Sequence, residues 1–338
     1  MNFGGTVRLN PLGVCLLIGA CILLFIYMNS GSNDDARKEL TSGTSINLKK
    51  LLLKAIDASV QGGWEVSKFK NDHNFHEQSK GKTKEGANDP VTDADFMSHC
   101  AMYQTMIQAF PNVKVISEEK PHKKCDMLPP HGLAITDIEN YIILEDVDVS
   151  ADDITVWIDP LDATQEFTEN LHQYVTTMVC VAVKGAPVIG VIHQPFIDKT
   201  TWGWVGQGTS PNPMKNQKIK EKEIIVSRSH AGEVKNISLQ AYGSDYTVTP
   251  AGGAGYKVLE VLSGNAAAYI HITAIKKWDV CAGDALLRSF DGQMTTIGGV
   301  QLNYSISSSV VNNDGIVAAL QRQDWFREQL QKFFPRHK

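Results

Sequence analysis

The chain of 338 residues carries no surplus of positive charge: 32 Lys and Arg stand against 37 Asp and Glu, for a net charge of −5. Duplex nucleic acid needs a basic face and is therefore excluded as a partner. An anionic small molecule stays open if metal ions supply the positive charge. Cysteine is scarce. Cys15 and Cys21 lie in an apolar run, while Cys100, Cys125, Cys180 and Cys281 are scattered with no C-x-x-C spacing, which argues against zinc. Their expected state is the buried free thiol, with a disulfide open to them only in an oxidising lumen. There is no G-x-x-x-x-G-K-[ST] loop, no G-x-S-x-G elbow, no H-E-x-x-H and no internal repeat.

One long run lacks charge altogether. Leu12 to Met28 reads LGVCLLIGACILLFIYM, and 17 residues of helix span roughly 26 Å, enough for a thin bilayer. The small residues Ser30 and Ser32 would suit a signal peptidase, but the run is long for a signal core and bulky to its end, which favours an uncleaved anchor. A buried core helix is the third reading and fits poorly beside the polar NSGSNDDARKE. Arg8 before the run, with Asp34 and Asp35 after it, puts residues 1–11 in the cytosol and the remainder in a lumen. Short spans suit early secretory membranes. The sequons at Asn236 and Asn303 permit glycosylation there.

Residues 29–46 read as a polar stem. From Asn47 the pattern turns globular. Leu51, Leu52, Ala55, Ile56 and Ser59 fit an amphipathic helix, NDHNFHEQSKGKTKEGANDP reads as a loop, and Phe96, Cys100, Tyr103, Ile107 and Phe110 recur at helical spacing up to Pro111. Val113–Ser117 reads as a strand delivering Glu118, residues 120–153 as an irregular acidic insertion. β-rich runs follow at 175–183, 188–193, 201–205, 223–226 and 267–272. Strands mix with helices throughout, so the class is α+β shading into α/β, with subdomains dividing near residue 185 (about 47–185 and 186–338).

Four stretches put acid at the edge of an apolar segment: DPVTDAD with Asp95, VISEE with Glu118, WIDPLD with Asp159 and Asp162, and KKWDVCAGDA with Asp279. Each acid alone reads as a cap, a turn or a surface residue; together they read as a hard-cation site for magnesium. Pro160 is expected to turn the chain so that Asp159 and Asp162 face one point, leaving the Leu161 carbonyl to ligate. Ala163 and Thr164 then open a helical turn whose free N–H groups suit a phosphate. VSRSH supplies Ser227 and His230, and PAGGAGYK supplies Gly253 and Lys257, as candidate substrate contacts.

DPVTDAD, SEE, WIDPLDAT and KKWDVCAGDA, in that order, resemble the lithium-sensitive, magnesium-dependent inositol monophosphatase superfamily, which includes fructose-1,6-bisphosphatase. VSRSH, PAGGAGYKVLEVL and IKKWD narrow the resemblance to its 3′(2′),5′-bisphosphate nucleotidases. It spans roughly Asn47 to Gly299. The resemblance implies a layered αβαβα sandwich behind one transmembrane helix. It implies Asp95, Glu118, Asp159, Leu161, Asp162 and Asp279 as ligands of two or three magnesium ions, and Asp95 with Thr164 as the water-activating pair. Ala163, Thr164, Ser227, His230, Gly253 and Lys257 become substrate contacts. Ala163 departs from the glycine of inositol phosphatases. The implied activity is removal of the 3′-phosphate from adenosine 3′,5′-bisphosphate by a single-pass type II Golgi membrane protein with a lumenal catalytic domain, in support of sulfation; the class permits a homodimer. An inositol phosphate phosphatase on the same fold and a non-catalytic membrane glycoprotein are the competing readings, with a two-carboxylate glycosidase more remote.

Overall fold

The computed structural model describes residues 44–70, 76–82, 86, 88–120, 125, 145–211, 218–229 and 231–334. The expected tail, the anchor at 12–28, nearly all of the stem, most of the insertion, and His230 lie outside them. The chain divides into two units, Met1–Ser45 and Ile46–Lys338, and the elements named here belong to the second. Among the described residues no helix is long and apolar enough to cross a membrane.

Helix α1 (Leu48–Lys68) begins where Asn47 Oδ1 accepts from the Lys50 amide at 3.0 Å, a side-chain cap for an otherwise orphan donor. Leu51, Leu52, Ala55, Ile56 and Ser59 are all buried, as their spacing requires. The stretch read as a loop instead forms an antiparallel hairpin, β1 (Gln78–Lys82) and β2 (Asn88–Val91). Every residue of β1 is exposed, so the alternation that betrays a half-buried strand is missing from it. Helix α2 (Asp93–Ala109) follows. Of its expected apolar face only Cys100 is fully buried; Ala94, Ser98, His99, Met102 and Met106 point inward instead. Two of these are polar because each has a partner: Ser98 Oγ donates to the Pro160 carbonyl at 2.6 Å, and His99 Nδ1 meets Ser117 Oγ at 2.8 Å.

Six strands form the first sheet: β3 (Lys114–Ser117), β4 (Ile154–Asp162), β5 (Thr176–Val183), β6 (Ala186–Gln194), β7 (Lys199–Trp204) and β8 (Gly208–Thr209), in the order β8-β7-β6-β5-β4-β3. Only β3 and β4 pair parallel. A short helix, α3 (Thr164–Thr168), separates β4 from β5. The second sheet holds β9 (Glu223–Ser227), β10 (Thr247–Ala251), β11 (Ala268–His271), β12 (Gln293–Thr295) and β13 (Ile316–Ala319), in the order β10-β9-β11-β13-β12. Four helices complete the unit: α4 (Val234–Tyr242), α5 (Ala254–Leu262), α6 (Lys277–Ser289) and α7 (Gln323–Gln331). Residue 185, the expected division, sits in the tight β5–β6 turn; the chain passes from one sheet to the other between Thr209 and Glu223.

Three cores stack the layers. Leu51, Leu52, Met102 and Met106 of α1 and α2 meet Val156, Val179, Val181 and Ile189 on one face of the first sheet. Val258 and Leu259 of α5, with Ala282 and Leu286 of α6, fill the space between Trp157 and Cys180 of the first sheet and Tyr269 and Ala318 of the second. Val234 and Tyr242 of α4, with Phe326 and Leu330 of α7, cover the outer face of the second sheet. The result is the αβαβα layering. α6 lies unusually close to its sheet: a β-carbon on Gly190 would fall 2.2 Å from the Ala282 carbonyl oxygen, and one on Gly203 2.7 Å from Ser289 Cβ.

The four scattered cysteines are not free thiols. Cys100 bridges to Cys125 and Cys180 to Cys281, with Cα separations of 4.8 and 5.7 Å that suit a disulfide. Partners 25 and 101 residues apart carry no local spacing signal.

Candidate active site

The WIDPLD segment does not turn at Pro160. Strand β4 runs through it with a bulge: Asp159 pairs with Met178 and Asp162 with Thr176, three residues opposing two. In a regular strand residues three apart face opposite sides; the extra residue restores both acids to one side. A bulge is also a place where proline's missing N–H does no harm. Ser98 holds the Pro160 carbonyl from behind.

At the end of β4, Ala163 adopts φ 73° and ψ 44°, the left-handed conformation, as it caps α3. Glycine takes this shape without strain, whereas alanine bears a cost of about 1 kcal/mol. Thr164 Oγ1 lies 3.0 Å from Asp95 Oδ1 and 3.1 Å from the Leu161 carbonyl. Asp95 is the third residue of α2, and its Oδ2 accepts from both the amide and the hydroxyl of Thr92 at 2.7 Å. Burial pushes its carboxyl up to about 7, against the hydrogen bonds from Thr92 and the charge of Lys80.

One carboxylate oxygen each from Glu118, Asp159 and Asp279 lie within 4.8 Å of one another. Glu118 follows β3, Asp159 is on β4, and Asp279 is the third residue of α6, where its Oδ2 accepts from the Lys276 amide at 3.0 Å. Desolvation, then the charges of Glu118, Asp162 and Asp279, drive the Asp159 carboxyl far above its ordinary value. Asp279 is driven the same way by desolvation, Glu118 and Asp162. Lys80, on β1, reaches Glu118 at 3.0 Å and also pairs with Glu119; Lys276 lies 3.6 Å from Glu118. Neither lysine pairs with Asp159, whose Oδ1 is buried with no hydrogen-bond partner among the described residues. An orphan buried oxygen inside a trio of carboxylates fits a bound cation, and an all-oxygen donor set fits a hard one. The acidic cluster can therefore hold a metal ion.

Asp162 stands differently. Its Oδ1 accepts from the Ala254 amide at 3.0 Å, and its Oδ2 from the Gly255 amide at 2.8 Å and Thr176 Oγ1 at 3.1 Å. It caps α5 as well as facing the cluster. This contact explains Gly253, whose φ is 62° and where a β-carbon would fall 2.6 Å from the Tyr174 carbonyl oxygen and 2.9 Å from Asp162 Oδ2. Lys257 is buried; its ammonium donates to the carbonyls of Ala251 and Gly253, and desolvation lowers it to about 8 against the pull of Asp162.

A single cavity of about 170 Å³ gathers Glu118, Asp159, Leu161, Asp162, Ala163, Thr164, Ser227, Gly253, Lys257 and Asp279. Asp95 sits behind Thr164, and His230 is outside the described residues. The cavity wall also includes Glu166, Tyr269 and His271, which sequence reasoning passed over. Glu166 is 1% exposed and pairs with Arg228 at 3.3 Å; its place two residues past the Thr of WIDPLDAT was the signal the sequence offered. Lys80 was missed because its hairpin reads as a loop.

Carboxylates able to hold a cation beside an acid–hydroxyl pair suit the hydrolysis of a phosphate ester. A model of the inositol monophosphatase family matches residues 48–332. "Putative inositol monophosphatase 3" of Drosophila melanogaster is 42% identical over 345 residues, covering 99% of this chain and 97% of that one. The "Golgi-resident adenosine 3′,5′-bisphosphate 3′-phosphatase" of Mus musculus is 41% identical over 334 residues, 93% of each. Among solved structures, the extragenic suppressor protein suhB of Bartonella henselae superposes with a TM-score of 0.61 at 18% identity, over 81% of this chain and 96% of its own. The chain belongs to the inositol monophosphatase family.

Proposed function

We propose that the protein hydrolyses the 3′-phosphate of adenosine 3′,5′-bisphosphate to give AMP and phosphate, using two or three magnesium ions. The observation that carries the reading is the convergence of the Glu118–Asp159–Asp279 trio and the Asp95–Thr164 pair on one cavity whose far wall comes from the second sheet. The trio would hold the first ion, and Asp95, Asp162 and the second lone pair of the Leu161 carbonyl would complete the others. Bound magnesium supplies positive charge to the phosphoryl oxygens and the leaving alkoxide and makes water a better nucleophile. The amides of Ala163 and Thr164 bind a phosphate oxygen. The attacking water gives its proton to Thr164 Oγ1, whose own proton passes to Asp95 Oδ1. Attack is in line, with no phosphoenzyme.

Ser227 and Gly253 offer contacts to the nucleoside side of the substrate, and His230 joins them in this reading. Lys257 contributes mainly its field to a second phosphate, since two of its three N–H groups are engaged by backbone carbonyls. The relatives named inositol monophosphatase 3 favour a second reading, an inositol phosphate substrate. Phosphate release from adenosine 3′,5′-bisphosphate, AMP and inositol 1-phosphate, with magnesium and then with lithium added, separates the two. A clear preference for inositol 1-phosphate overturns the nucleotide reading.

The two disulfides support an oxidising compartment. We place residues 1–11 in the cytosol, an anchor at 12–28, a stem at 29–46 and the catalytic domain from 47 in the Golgi lumen, where it would clear the bisphosphate product of sulfotransferases. Protease protection of the catalytic domain in sealed Golgi vesicles tests this; digestion without detergent refutes it.

A further inference from the structure

Cys180 and Cys281 are buried and joined by a disulfide. Cys281 comes two residues after Asp279, in the first turns of α6. Cys180 on β5 pairs in register with Trp157, two residues before Asp159 on β4. The same row continues to Gly190 on β6 and Gly203 on β7, and α6 lies across it. At its middle and end the helix is seated by shape, with Ala282 and Ala285 against Gly190 and Leu286 and Ser289 against Gly203. At the end that carries Asp279, the disulfide is a covalent tie to the sheet, added to the packing of Val280 and the hydrogen bond of the Lys277 amide to the Val310 carbonyl. Asp279 Oδ2 accepts from the Lys276 amide, a hydrogen bond that stays within the helix start and fixes nothing across the gap.

That end also carries an opposing force. Carboxylate oxygens of Asp279, Asp159 and Glu118 within 4.8 Å of one another repel, and the repulsion pushes the start of α6 away from β4. We propose that the Cys180–Cys281 disulfide is a positioning element of the metal site: it holds α6 against the β4–β5 pair so that Asp279 stays at ligand distance before any cation arrives. Without it Asp279 relaxes outward, and an incoming ion must do work to draw it back. The inference rests on the reading of the trio as a metal site. The competing account is that the bridge, closing a separation of 101 residues, adds only global stability.

The test compares the full chain with two bridge-free variants, Cys180→Ala/Cys281→Ala and the better-filled Cys180→Val/Cys281→Ala, and with Leu330→Ala. Leu330 is fully buried in α7 against the outer face of the second sheet, so its loss destabilises the protein away from the site. Magnesium binding is measured by calorimetry on chelator-stripped protein, alongside urea unfolding in chelator. The bridge-free variants should bind magnesium about tenfold more weakly, equivalent to about 1.4 kcal/mol, with kcat at saturating magnesium near that of the parent. Leu330→Ala should keep the parental affinity at comparable stability loss. A magnesium Kd within about twofold of the parent in a folded bridge-free variant overturns the proposal. Equal weakening in Leu330→Ala assigns the effect to stability and overturns it too. A parent that binds no magnesium overturns the metal-site reading as well, which distinguishes the two failures.

Discussion

Asp159 is buried among other carboxylates at a cost in the metal-free protein, and replacing it with asparagine exposes that cost. Its carboxylate is 1% exposed and lies within 4.8 Å of a Glu118 oxygen and an Asp279 oxygen. At an effective dielectric constant near 20, each such pair repels by about 3 kcal/mol. Lys80 and Lys276 soften the Glu118 share, and proton uptake limits the remainder. Desolvation and the neighbouring carboxylates raise this carboxyl well above its ordinary range, so proton uptake relieves part of the repulsion near neutrality. Asp159→Asn should therefore stabilise the chelator-treated protein by roughly 2–4 kcal/mol, a rise in Tm of about 5–10 °C. The pH dependence carries the sign. Because the folded carboxyl is raised, the native state holds more protons than the unfolded one above about pH 4, so the parent loses stability as pH climbs from there towards 7. The advantage of the variant should be absent at pH 4 and grow towards neutrality. Added magnesium should raise the parent's Tm by binding only the native state and leave the variant unmoved. Calorimetric melts at several pH values, with chelator and with magnesium, make the measurement. A variant no more stable than the parent at pH 7 in chelator refutes the electrostatic account of the site.

Asp162→Ala should behave oppositely to Asp159→Asn: it removes three hydrogen bonds that hold the start of α5 and β5, and urea unfolding in chelator should show a loss of about 2 kcal/mol. At Ala163, glycine relieves the left-handed strain but frees the unfolded chain, so Ala163→Gly should change stability by less than about 0.5 kcal/mol, whereas a β-branched Ala163→Val should cost over 1 kcal/mol, both read from chemical denaturation. His193 is buried, and desolvation holds its imidazole down at about 4. The unfolded chain therefore takes up its proton first, and stability should fall by up to about 3 kcal/mol as pH drops from 6.5 towards 4. His193→Gln should flatten that slope in melts across the same window.

The acids of the site were legible because each sits at an element end that hydrophobic pattern alone locates: Glu118 after β3, Asp159 within the run of β4, Asp279 at the start of α6. Strands β3, β5, β6, β7, β9 and β11 followed from their β-rich runs, whereas β8, β10, β12 and β13 did not register as strands. What pattern does not encode is the partner across space. The bulge at Pro160 depends on pairing with β5, so a proline that reads as a turn became a register shift. The inward face of α2 was misplaced because Ser98 and His99 are tolerated inside only by virtue of the Pro160 carbonyl and Ser117. The exposed β1 carries no periodicity, and with it Lys80 escaped notice. The disulfides failed to register for a plainer reason, since cysteines 101 residues apart become neighbours only once α6 has crossed the sheet.

The three carboxylates nearest one another come from the loop after β3, from β4 and from α6, so Glu118 and Asp279 are separated by most of the catalytic unit. A nascent chain that has emerged only as far as the first sheet possesses two of these three oxygens. The trio itself forms only when α6, the last helix of the central layer, arrives. An ion held by all three oxygens would therefore mark a chain in which the middle of the sandwich is complete.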